Sequence, residues 1–335
     1  MRWNTTRLIV ILCIISHNPI LAESNIQPTQ NGQVQIVTTL SFLGDMVYSI
    51  LGDNVAIYNI IDGSVDPHFY EPTSEAIIKL DESDFIIALG SPEFDEWLIQ
   101  YIENSGSINL LEKLYYVIDV SEVEQIDPIT NSPNPHIWLS PVIGKLMIEN
   151  LFNIFVSLDL FDYSNMQTNK NVINNQLDEY ISEMNELKAY YIGTKVVVDH
   201  PAFMYFLNLL GFIRVAAIEE KEGIEPSAHH IDEITNRMIE EEITLIIATK
   251  NQENPDVLQL ARNTNSNIVY LHILPGAENV ESYVKLLEFN INSIQNPVPP
   301  PEEDSLNFSL IPLVIFFAIY NLIKIKNKKK IQIVS

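Results

Sequence analysis

The stretch NMQTNKNVINNQLDEYISEMNELKAYY, Asn165–Tyr191, decides how the rest of the chain is divided. It holds neither glycine nor proline, and Val172, Ile173, Leu177, Tyr180, Ile181, Met184 and Leu187 recur at helical intervals. A helix of roughly 25 residues is about 37 Å long at 1.5 Å per residue, too long for an ordinary connector. Alternating strand and helix patterns flank it on both sides. The stretch therefore reads as a stiff strut between an N-terminal lobe, residues 34–164, and a C-terminal lobe, residues 192–296.

Upstream, strands are expected at Gln35–Leu40, Val55–Ile61, Phe85–Leu89 and Tyr115–Val120, with a helix at Ser41–Leu51. Phe85–Leu89 is apolar without a break, as a parallel strand covered on both faces should be. Thr73 is placed to cap a helix over Ala76, Ile77 and Leu80, because its hydroxyl can accept from a first-turn N–H. Trp97 and Leu98 open a further helix, and Pro141 starts another after a turn-rich loop. Downstream, strands are expected at Lys195–Val198, Thr244–Ala248 and Ile268–Leu271. Helices are expected at Phe203–Leu210, from Ser227 to Met238, at Val257–Asn263 and at Val280–Ile294. Strands alternating with helices in both halves imply an α/β fold with two parallel sheets.

Four histidines are distributed over this frame in a shared way. His68 lies in Asp66-Pro67-His68-Phe69-Tyr70-Glu71-Pro72, on a loop stiffened by prolines just past a strand. His136 lies in Asn134-Pro135-His136-Ile137-Trp138. His200 and His272 directly follow β-branched strand runs. Open α/β sheets bind ligands beyond the carboxyl ends of their strands. Two strand-end histidines from one lobe and two loop histidines from the other would thus meet in the cleft between lobes. Neutral imidazole suits zinc, copper or nickel, whereas calcium and magnesium prefer oxygen. His229 and His230 are adjacent on a helix's first turn and read as surface residues; His17 belongs to the leader.

Composition narrows the partners. The 335 residues are 47% hydrophobic, enough for two substantial cores, and carry a net charge of −25. Seven of the 19 basic residues (Arg2, Arg7, Lys324, Lys326, Lys328, Lys329, Lys330) sit at the two ends, so the globular part is strongly acidic. That argues against nucleic acid, which requires clustered Lys and Arg. Cys13, the single cysteine, falls in the leader, which removes disulfides, thiolate zinc sites and thiol nucleophiles from the mature chain. Residues 1–23 read as a secretory signal, with an apolar run Leu8–Ile15 and Ala22 at the cleavage position. Residues 297–306 read as a Pro/acidic stalk, 307–325 as a transmembrane anchor and 326–335 as a basic cytoplasmic tail. The body is then extracellular, at the cell surface.

Together these motifs resemble the solute-binding proteins of metal-ion (zinc/manganese) ABC transporters, of the cluster 9 type. The matching pieces are Asp66–Pro72, the run Leu80–Leu98 with Asp84, Gly90 and Trp97, Asn134–Trp138, His200–Phe206 and Glu225–Ala228. The resemblance covers nearly all of residues 34–296. It implies two α/β lobes joined by one long helix, with metal held between them and handed to an ABC permease in the same membrane. It places His68, His136 and His200 on ligand positions. Where the family usually has a carboxylate as fourth ligand this chain has His272, with Glu278, Glu281 or water as alternatives. Ser140 stands where the family often has an aspartate, which bears on what orients His136. Histidine rather than carboxylate at 200 resembles the zinc-type members, and nitrogen in place of oxygen disfavours manganese. Copper is the rival, because four imidazoles would bind it more tightly than zinc. The expected function is a membrane-anchored receptor for a divalent transition metal.

Two other classes compete with it. An anchored metallohydrolase would need an open metal position and a base; the chain shows no zinc-protease helix motif, nucleophile elbow or Gly-rich phosphate loop. An adhesin built on the same fold would bind metal only incidentally.

Overall fold

The computed structural model describes residues 33–219, 225–250 and 254–301. The expected secretory signal, transmembrane anchor and basic tail, and stalk residues 302–306, lie outside them. In chain order the N-terminal lobe comprises β1 (Val34–Leu40), α1 (Ser41–Leu51), β2 (Val55–Ile61), α2 (Ser74–Glu82), β3 (Phe85–Ala88), α3 (Pro92–Ser105), α4 (Ile108–Lys113), β4 (Leu114–Tyr116), β5 (Gln125–Ile126), β6 (Pro133–Asn134) and α5 (Pro141–Leu158). The strut is α6 (Tyr163–Tyr191). The C-terminal lobe comprises β7 (Lys195–Val198), α7 (Met204–Leu210), β8 (Ile213–Ala217), α8 (Ala228–Glu240), β9 (Leu245–Thr249), α9 (Pro255–Thr264), β10 (Asn267–Leu271) and α10 (Tyr283–Gln295). Single helical turns hold Pro67–Phe69, Ile137–Leu139 and Pro201–Phe203.

Each lobe contains one four-stranded parallel sheet, in the orders β2-β1-β3-β4 and β10-β9-β7-β8. All four residues of β3 are buried, as its unbroken apolar run requires. The strut has 29 residues, so it is about 43 Å long. It starts two residues before its apolar pattern, because the Asp162 carboxylate accepts the Asn165 N–H at 2.7 Å and caps it. The strut packs on α1 and α5 of the first lobe and on α7 and α10 of the second. Lys170, buried in its N-terminal third, bonds Glu149 at 2.9 Å with its ammonium 3.9 Å from the Phe152 ring centroid.

Local signals hold at several termini. Thr73 caps α2 and Ser227 caps α8, while Pro141 opens α5 and Gly211, at φ 80°, closes α7. Three features depart from the sequence expectation. The strand expected at Tyr115–Val120 is only Leu114–Tyr116, and the chain then enters a small antiparallel ribbon, β5–β6, in place of a plain loop. A fourth C-lobe strand, β8, follows α7; its exposed Ile213 and the adjacent Arg214 hide it from an apolar pattern. Pro297 and Val298, expected to begin the stalk, belong to the globular part instead: Val298 exchanges both backbone hydrogen bonds with Ile268 of β10 (2.8 and 2.7 Å) and covers that sheet edge.

One hydrophobic core runs through both lobes, joining Phe42, Phe94 and Trp138 to Phe203, Leu271 and Tyr283. Phe42 and Trp138 stack at 5.0 Å. Direct bonds tie the lobes: Trp138 Nε1–H donates to the Ile273 carbonyl (2.7 Å), Tyr283 O–H to the Trp138 carbonyl (2.6 Å) and Ser41 O–H to the Pro275 carbonyl (2.7 Å). The site lies on this packed seam.

Candidate metal centre

His68, His136 and His200 converge there. Each offers one ring nitrogen, and the three nitrogens lie within 4.8 Å of one another. His68 Nε2 and His136 Nε2 are 3.0 Å apart, and the three ring centroids are 5.1–5.6 Å from each other. His136 and His200 are 2% and 6% exposed. Phe94 lies against both His68 (4.8 Å) and His136 (5.4 Å), and Trp138 against His136 (5.3 Å), so the wall behind the group is aromatic and dry.

The local sequence seats each histidine. In Asp66-Pro67-His68 the Asp66 carboxylate accepts the His68 N–H at 3.0 Å, and in Asn134-Pro135-His136 the Asn134 carbonyl oxygen accepts the His136 N–H at 3.1 Å. These are the same device: a short polar side chain bonding the backbone two residues on, across a proline that fixes φ. His200 differs, because the preceding Asp199 holds it: its carboxylate accepts the His200 N–H (2.6 Å) and the Thr249 N–H. Burial raises the Asp199 carboxyl to about 6 against those hydrogen bonds.

Each ring turns its Nδ1 toward an oxygen. His136 Nδ1 donates to Asn134 Oδ1 at 3.1 Å, which fixes the tautomer because that oxygen has no proton to give. His200 Nδ1 donates to the Glu219 carboxylate at 2.5 Å, and His68 Nδ1 lies 3.6 Å from the Glu93 carboxylate. The Nε2 lone pairs of His136 and His200 are thereby directed away from these partners, as outer-shell partners of metal-binding imidazoles do. His136 is held neutral: burial, then the neighbouring His68 and His200, depress its pKa well below the usual imidazole value. Three such nitrogens are a donor set suited to a transition-metal ion.

His272 lies outside this group of three. It is 2% exposed, its backbone N–H and C=O are both bonded by Asn290 (2.8 and 2.9 Å), and its ring lies on Phe289 at 4.5 Å. Its Nε2 is buried without a hydrogen-bond partner, and its pKa is lowered, chiefly by burial. The residue lines a cavity of about 50 Å³ with Ser64, Asp66, Pro67 and Thr249. Neither Glu278, exposed and 3.4 Å from Lys250, nor Glu281 joins the three histidines, so among the described residues the group contains no carboxylate. Ser140 caps α5 through the Ile143 N–H, and Asn134 orients His136. His229 is exposed beside Glu233, whereas His230 bonds the Ala217 carbonyl at 2.9 Å and is only half-exposed.

Asn134, Asp199 and Glu219 were not singled out by sequence. The first had a legible signal, the repeated Asx-Pro-His pattern. Glu219 had none, because it lies just past β8.

The chain is similar to known proteins over most of its length. Residues 36–296 match the profile of the family described as zinc-uptake complex component A, periplasmic. The iron-binding protein YfeA of Yersinia pestis is 22% identical over 284 residues, covering 82% of this chain and 89% of its own. The manganese ABC transporter substrate-binding lipoprotein PsaA of Streptococcus anginosus is 21% identical over 306 residues, covering 86% and 96%. The crystal structure of ZnuA superposes with a TM-score of 0.66 at 20% identity, over 77% of this chain and 98% of that one.

Proposed function

Because this chain belongs to the family of metal-ion ABC transporter substrate-binding proteins, receptors rather than enzymes, we propose that it captures a divalent transition metal, zinc first, and delivers it to an ABC permease. In this reading His68, His136 and His200 hold the cargo through their inward nitrogens. The single observation that carries it is the meeting of three imidazoles from both lobes at one buried point. The all-nitrogen group supports zinc, because manganese favours oxygen donors. Copper is accommodated by the same nitrogens, and the relatives above are named for iron and manganese as well as zinc, so the metal is the first thing to measure.

Because one core spans both lobes, release proceeds by local movement of the His68 and His200 loops and not by wide opening. The apolar run Phe308–Ile325 followed by Lys326, Lys328, Lys329 and Lys330 supports a C-terminal anchor that keeps the receptor beside its permease.

The test is elemental analysis of protein purified from its native membrane, followed by competition calorimetry with zinc, copper and manganese in buffered free-metal solutions. Zinc at one equivalent, bound more tightly than manganese, is the expected result. No bound transition metal, or manganese preferred over zinc, defeats the reading. Recovery in the soluble fraction of cells defeats the anchor alone.

A further inference from the structure

We infer that the buried Asp127–Arg214 ion pair, acting through Asn134, is a positioning device that sets the distance between the metal ligands of the two lobes. The inference rests on the ligand assignment above. Asp127 belongs to the β5–β6 ribbon of the first lobe and Arg214 to β8 of the second. Their side chains are 1% and 2% exposed and meet at 2.8 Å. Asn134 lies between this pair and the site. Its amide nitrogen donates to Asp127 Oδ2 at 3.1 Å and to the Pro201 carbonyl at 2.9 Å, while its oxygen accepts both the N–H and Nδ1–H of His136. Arg214 Nη1 also reaches the Pro201 carbonyl, at 3.4 Å. Pro201 directly follows His200.

A single polar unit therefore grips His136 from one side and the backbone beside His200 from the other. The ribbon is pinned a second time: Tyr205 of α7 donates its O–H to the Asn134 carbonyl at 2.7 Å and accepts the Gln125 N–H at 2.9 Å. Every hydrogen-bonding atom of the Asn134 side chain faces a fixed partner, so the amide cannot turn over without breaking a bond at each end. A buried ion pair is a poor source of stability, since apolar side chains of similar volume often serve as well or better. What such a pair does supply is geometry. Here the geometry sets two imidazoles in separate lobes at one separation, which is what a metal ion with fixed bond lengths requires.

The experiment uses cobalt as a spectroscopic stand-in for zinc and compares three full-length proteins, the parent, Arg214→Met, and the double variant Asp127→Leu with Arg214→Met, with His200→Ala as a ligand control. The single variant leaves a buried carboxylate unpaired, so its metal-free Tm falls and its cobalt affinity drops at least tenfold. The double variant buries no charge, so its Tm returns to within a few degrees of the parent, yet its affinity stays at least tenfold weaker and its cobalt d–d bands are shifted. A double variant with the parent's affinity and bands, or affinities that follow Tm across all three proteins, overturns the inference. A parent that binds no cobalt overturns the ligand assignment and this inference together. A parent whose binding is lost in His200→Ala but kept in the double variant overturns this inference alone.

Discussion

His200 and His272 look alike in sequence, each following the last residues of a β-branched parallel strand in the same lobe, yet the fold treats them differently. His200 joins the three-histidine group with Glu219 on its outer nitrogen, whereas His272 is folded against Phe289 with Asn290 holding its backbone. In β10-β9-β7-β8 the strand before His200 is interior and the one before His272 is an edge, two places away, and each ring is turned by its own neighbours: Glu219 bonds the His200 ring, while Phe289 packs on the His272 ring.

The contrast can be broken most directly by truncating each ring. His200→Ala should weaken zinc binding on the order of 10³-fold in competition titrations, beyond the 10–100-fold typical of losing an outer partner. His272→Ala should change affinity by less than about threefold and cost only about 1–2 kcal/mol of stability in denaturant melts. Equal losses in both would restore the four-histidine site.

The supporting residues should separate in the same way. Glu219→Gln keeps a hydrogen bond to His200 but removes the charge that strengthens it, and should weaken zinc binding roughly 10–100-fold with little change in Tm. Asn290→Ala, which strips both backbone partners from His272, should destabilise the fold by about 2–3 kcal/mol while leaving affinity unchanged. An affinity loss in Asn290→Ala would tie His272 to the metal after all.

The smallest effect concerns pH. Asp45 reaches from α1 to cap α10 by accepting the Tyr283 N–H at 2.8 Å, and burial raises its carboxyl to about 6. Because the folded value lies above the unfolded one, this group's contribution to stability is full below about pH 4 and is lost as pH rises through 6. Asp45→Asn keeps an oxygen for the Tyr283 N–H. It should raise metal-free stability by about 1 kcal/mol at pH 7.5, with the gain vanishing near pH 4. A gain that does not depend on pH would show that desolvation of this carboxylate is not its source.

Much of the architecture was legible residue by residue. The gap-free periodicity of Asn165–Tyr191 gave the strut, the unbroken apolar run at Phe85 gave a parallel strand, and Thr73, Ser227 and Gly211 marked helix ends, because these signals act over a few residues. The three histidines that converge were legible because proline and a short polar side chain stiffen the chain beside each. What failed was anything that depended on a neighbour distant in sequence. β8 escaped notice because Arg214 interrupts its apolar pattern, and the arginine is tolerated there only because Asp127, 87 residues away, meets it. Glu219 was missed along with β8.

The sequence by itself determined the division into lobes, the strut between them and the nitrogen character of the candidate site, since each follows from periodicity, composition and the residue types present. Only the tertiary structure decided which imidazoles meet. Strand order, the register of β8 beside β7 and the cross-lobe bonds of Asn134 arise from pairings between segments tens of residues apart, and no local pattern encodes those distances.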